Sequence, residues 1–176
     1  MKTTKPSKKA QHARSATAYH EAGHAVAAIY FDYLSESSLL TIRASGDSLG
    51  SVSHQPPLMQ GCQNRRQLRA LVEQMCIGCF SGMAAERLFD SSAPDFHGDG
   101  DESNAWNLLR DNSVTPRGCR FVGDDVYVGY LQRLRVKAER FVQRQRPAID
   151  ALAEALLAKE TMIGAEAMAI VRPLLR

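Results

Sequence analysis

The run Thr17-Ala18-Tyr19-His20-Glu21-Ala22-Gly23-His24-Ala25-Val26 decides how this chain is read. Its centre is H-E-x-x-H. On a helix, His20 and His24 stand one turn apart on one face, with the Glu21 carboxylate beginning one residue after the first imidazole. Side chains at i and i+4 converge, and Zn²⁺ accepts imidazole nitrogens at about 2.0–2.1 Å. A catalytic zinc keeps three protein ligands and leaves its fourth position to water, whose pKa falls to about 7. His20 and His24 are therefore expected to be two metal ligands and Glu21 the general base. The plainer reading is a helix whose His and Glu are ordinary surface residues. Ala18, Ala22, Ala25, Ala27 and Ala28 favour a helix from about Thr17, as N-cap, to Tyr33. Gly23 works against it at about 1 kcal/mol relative to alanine, which implies that substrate or a second segment approaches the backbone there.

Working outward, the chain reads as mainly helical. Leu39-Leu40-Thr41-Ile42 and Leu49-Gly50-Ser51-Val52-Ser53 are short β-prone stretches around Ala44-Ser45-Gly46-Asp47, consistent with a small hairpin. A long helix is expected from about Arg65 to Phe89, in which Gly78-x-x-x-Gly82, Ala84 and Ala85 allow close packing of another helix. Ser91 to Gly100 reads as a loop and Asp101 to Asp111 as a helix with Trp106 and Leu109 inward. Two more helices run from about Asp124 to Arg144 and from Pro147 to Lys159, with a brief last one from about Ala165.

With 176 residues and 44% hydrophobic content, the chain is expected to be one domain over residues 15–176 behind a basic, disordered tail at 1–14. The net charge of +3 misleads. Five of the 22 basic residues (Lys2, Lys5, Lys8, Lys9 and Arg14) fall in that tail with no acid among them. A solvated end is the ordinary meaning of such a run, so nucleic acid is not an expected partner. No apolar stretch reaches membrane-span length and no secretory signal is visible, so no membrane contact and a cytoplasmic location are expected. No P-loop of the G-x-x-x-x-G-K-[ST] type is present. Cys76 and Cys79 form C-x-x-C, but inside a helical pattern of Leu68, Leu71, Val72, Met75 and Phe80, so they read as small buried hydrophobes.

A third metal ligand must come from outside the first helix. The metzincin extension would place glycine at 27 and histidine at 30, where this chain has Ala27 and Tyr30. Glu73, Glu86, His97, Asp99, Asp101 and Glu102 remain. The 97–102 loop is physically favoured, because Gly98 and Gly100 let the backbone turn toward a metal. The competing reading has its acids capping a helix N-terminus.

These residues resemble the peptidase domain of the FtsH-type ATP-dependent zinc metalloproteases. After the zinc motif, Leu49-Gly50-Ser51-Val52, Gly82-Met83-Ala84-Ala85-Glu86 and Asp101 to Arg110 follow in the family's order, and the likeness extends over residues 15 to 172. In that family an aspartate opening a helix is the third zinc ligand, with an alanine four residues on and an Asn-Leu-x-Arg segment after it. Asp101, Ala105 and Asn107-Leu108-Leu109-Arg110 match that spacing. The resemblance thus implies a mainly α, compact zinc-peptidase domain with a small β-hairpin or sheet, whose Zn²⁺ is held by His20, His24 and Asp101. It also implies a polypeptide substrate bound in extended form along Leu49 to Ser53. The chain departs from the family in having Gly100 where the family has asparagine. It also begins almost at the zinc motif, so a separate ATPase or adaptor becomes an expected partner. The expected function is zinc-dependent endopeptidase activity on unfolded or flexible polypeptides. The alternative is a zinc-containing binding or regulatory module that retains the fold, against which the presence of Glu21 argues.

Overall fold

Helix α1 (Lys8–Tyr30) carries the H-E-x-x-H run and begins well before it in the computed structural model, which describes residues 7–44, 49–53, 59–93, 99–117, 119 and 123–176. Its cap is Ser7, whose Oγ accepts from the Ala10 N–H at 3.2 Å. Thr17, expected as the cap, is mid-helix and donates its hydroxyl to the Ala13 carbonyl. Residues 8–14, expected as part of a disordered tail, form the first two turns. They are tied down by Arg14, which donates to the Leu157 carbonyl and pairs with Glu160 at 2.7 Å, and by His12 against Asp90 at 2.8 Å. The helix ends at Tyr30 rather than Tyr33, because Asp32 turns left-handed (φ 60°) and the Tyr33 N–H returns to the Ala28 carbonyl.

The expected hairpin is present as β1 (Leu39–Thr41) and β2 (Ser51–Val52). A third strand, β3 (Thr161–Ile163), joins the other side of β1, in the short stretch between the last two expected helices. The sheet is antiparallel in the order β2-β1-β3, with Leu40 opposite Val52 on one side and Met162 on the other. Leu40 and Met162 point into the core. Helix α2 (Arg65–Phe89) has the expected bounds and is capped by Asn64, which accepts from the Gln67 N–H. Helix α3 (Asp99–Asp111) starts slightly before the expected Asp101, so Gly100 lies in a helical turn rather than a loop. The remaining helices, α4 (Asp124–Arg144), α5 (Arg146–Lys159) and α6 (Gly164–Val171), keep their expected places. The architecture is mainly α with one small sheet. Among the described residues, no helix is long and apolar enough to cross a membrane.

Two hydrophobic clusters form the core. One joins α1, the sheet, α5 and α6 through Ala22, Val26, Leu40, Ile149, Leu152 and Met162. The other joins α2, α3 and α4 through Val72, Cys76, Phe80, Leu109, Tyr127 and Leu134. Ile77 of α2 packs against both. Helices α1 and α2 touch closely. A Cβ at Gly23 would overlap the Ser81 carbonyl, and one at Gly82 would overlap the His24 ring. The segment that Gly23 admits is therefore α2, as the Gly78/Gly82 spacing anticipates.

Cys76 is buried and Cys79 half-buried within α2, and both are free. Burial pushes both thiols up, that of Cys79 to about 12, which matches their reading as small core residues.

Candidate metal centre

Two turns of α1 and the first turn of α3 meet at one point. His20 Nε2 and His24 Nε2 are 3.0 Å apart, and Asp101 Oδ2 lies 3.1 Å from the second and 3.3 Å from the first. The other nitrogen of each ring is already engaged. His24 Nδ1–H donates to the Gly78 carbonyl at 2.9 Å, and His20 Nδ1–H to Glu86 Oε2 at 3.1 Å. These bonds select the tautomer in which both Nε2 lone pairs point inward, a common way of orienting metal-binding imidazoles. Two inward lone pairs and a carboxylate oxygen repel one another unless a cation lies between them. Three ligand atoms at about 2.0–2.1 Å from a tetrahedral ion are roughly 3.3 Å apart, close to the spacing here. The nitrogen and oxygen donors and their separation fit Zn²⁺. Among the described residues, no other group of three such side chains converges in this way.

Without a metal, a proton takes the cation's part. Burial opposes charging His20, but hydrogen bonds to Asp101 and Glu86 outweigh it and raise its pKa to about 10. Burial would likewise raise Asp101, yet the two imidazoles hold its carboxyl well below the usual carboxylate range. Glu21 is 6% exposed, and burial raises its pKa against the opposing pull of His24 and His20.

All four side chains open onto a cavity of about 1070 Å³. Leu49, Gly50, Ser51 and Val52 form part of one wall, while Asn104 and Leu108 of α3 contribute to another. This cavity is large enough for a segment of polypeptide, since small-ligand pockets run to about 300–1,000 Å³.

The other candidate ligands are engaged elsewhere or lie outside the described set. Glu73 accepts from Tyr130 and pairs with Lys137, and Glu102 pairs with Arg135 at 3.0 Å. His97 and the Asp99 side chain lie outside the described residues. Glu86, considered as a ligand, instead buttresses the far side of the His20 ring. Its spacing held a signal for that place: it follows Gly82, which faces His24, by one helical turn on α2.

Residues 8–94 match the model of Peptidase family M41. A curated relative, the ATP-dependent zinc metalloprotease FtsH 4 of Sphaerobacter thermophilus, is 27% identical over 187 residues. That alignment covers 89% of this chain but 28% of the relative, so the chain spans little more than a quarter of that protein's length.

Proposed function

We propose that the chain carries an FtsH-type peptidase domain of family M41 and is a zinc-dependent endopeptidase acting on unfolded or flexible polypeptides. The observation that carries this reading is the convergence of His20, His24 and Asp101 beside the buried Glu21. Zn²⁺ held by those three side chains would supply Lewis acidity, making water nucleophilic near neutral pH and polarising the scissile carbonyl. Glu21 takes the proton from the attacking water and passes it to the leaving amine. Glu86 and the Gly78 carbonyl keep both imidazoles turned inward through their Nδ1–H groups. Among the described residues strand β2 is an outer strand of the sheet and its residues line the cavity, which suits an extended segment lying alongside it. An extended segment is one released from its own helix or sheet, hence an unfolded one. We assign the protein to the cytosol, with an ATPase module or adaptor as the partner that would deliver folded substrates.

Hydrolysis of labelled casein without ATP, by the zinc-loaded protein beside Glu21→Gln at matched zinc content, tests this. Cleavage by the wild type and a loss of about 10²–10⁴-fold in the variant is the expected result. Zinc binding with no cleavage by either protein would instead favour a docking module that keeps the fold.

A further inference from the structure

Gly50 stands on the cavity wall just before β2, and its Cα faces the side chain of Glu21. A Cβ at this position would lie 2.8 Å from Glu21 Cγ and Oε1 and 3.0 Å from Cδ. Non-bonded carbons settle at about 3.5–4.0 Å, so no side chain fits while Glu21 keeps its place. Backbone conformation is not the reason for glycine here, since its φ lies outside the positive range that side chains avoid. Space alone excludes a larger residue. From the opposite side, Glu21 is fixed by α1, between His20 and His24 in sequence, and it is almost fully buried. The carboxylate is thus held between its own helix and a bare stretch of main chain.

We propose that Gly50 is a positioning residue for Glu21. Resting on the peptidase reading above, the inference is that Gly50, by having no side chain, is the stop against which the base lies. It sets the carboxylate's distance both from the metal ligands and from the strand that receives substrate. A side chain at position 50 drives the carboxylate off this stop while leaving His20, His24, Asp101 and strand β2 where they are. A misplacement of about 1 Å in a reacting group costs on the order of 10²-fold in rate. The effect therefore falls on kcat, with metal binding and substrate capture spared.

The experiment is steady-state cleavage of a quenched fluorescent, unstructured peptide by zinc-loaded wild type, Gly50→Ala, Glu21→Gln and the double variant. Zinc content and Tm are measured on each, and Gly129→Ala serves as control because no atom lies within 4 Å of the Cβ it adds. Gly50→Ala is expected to lower kcat about 10–100-fold, with KM within about threefold and zinc content unchanged. In the Glu21→Gln background the same change should alter the residual rate by less than about twofold, since no base is left to misplace. An unchanged kcat overturns the proposal, as does a rise in KM alone or an equal loss in both backgrounds. Should Gly50→Ala lower the Tm, adding Glu21→Asp withdraws the carboxylate by one methylene. Recovery of Tm then supports the contact, and no recovery overturns it. Absence of cleavage by the wild type removes the peptidase reading itself, a result distinct from failure of the Gly50 assignment alone.

Discussion

His20 and His24 stand in the close seam between α1 and α2, whereas Asp101 reaches them from a helix belonging to a different core cluster. On the α1 side, Ala18, Ala22 and Ala25 are fully buried, the His24 ring fills the space left by Gly82, and both Nδ1 atoms are hydrogen-bonded. On the α3 side, Ala105 and Leu109 hold the helix against α2 and α4, and Asp101 touches the site through the two imidazoles. Two candidate ligands are thus part of the packing and the third is brought to it. A metal bound between them would fasten one core cluster to the other, so its binding energy would add to the stability of the whole.

The sharpest way to break this contrast is to remove one ligand from each side. Both His24→Ala and Asp101→Ala should lose stoichiometric zinc after dialysis, measured by elemental analysis. Zinc retained by Asp101→Ala would show that the α3 arm is not part of the centre. A smaller effect comes from filling the seam. Gly82→Ala should destabilise by about 1–3 kcal/mol through overpacking against His24, a fall of roughly 2–12 °C in Tm for a chain of this size. Gly129→Ala, on the open face of α4, should instead stabilise by about 0.4–1 kcal/mol. Thermal melts of the two variants would separate close packing from a general intolerance of substitution.

The smallest expected effect is on pH dependence. In the metal-free protein the raised pKa of His20 contributes stability that is fully present below about 6.5, its ordinary value, and lost as pH rises through about 10. Zinc competes with that same proton, so its affinity grows over the same window. The increase in Tm caused by zinc should therefore be larger at pH 8.5 than at pH 6.5. Equal increases in melts with and without chelator would show that the His20 proton and the metal do not exclude one another.

Much of this arrangement was legible from local patterns, and its omissions have physical causes. The bounds of α2 and α4 follow from apolar periodicity, because each helix buries a continuous stripe. The first turns of α1 have no such stripe. Lys8 to Ser15 is polar and helical, with His12 and Arg14 tied to Asp90 and Glu160, partners far along the chain. Strand β3 escaped notice because three residues carry little periodic signal and their partner, β1, is more than 100 residues away. Among the candidate third ligands, residue type alone left six acids and histidines open, and only family resemblance singled out Asp101.

By itself, the sequence determined the relation of His20, Glu21 and His24, since a single helical turn places i and i+4 together whatever surrounds it. It likewise determined the small residues that let α1 and α2 approach. Tertiary structure alone decided what those residues meet: Glu86 behind the His20 ring, the Gly78 carbonyl behind His24, Gly50 against the base and Asp101 across the seam. Each of these contacts joins separate elements, and its geometry exists only once the helices and the sheet have packed.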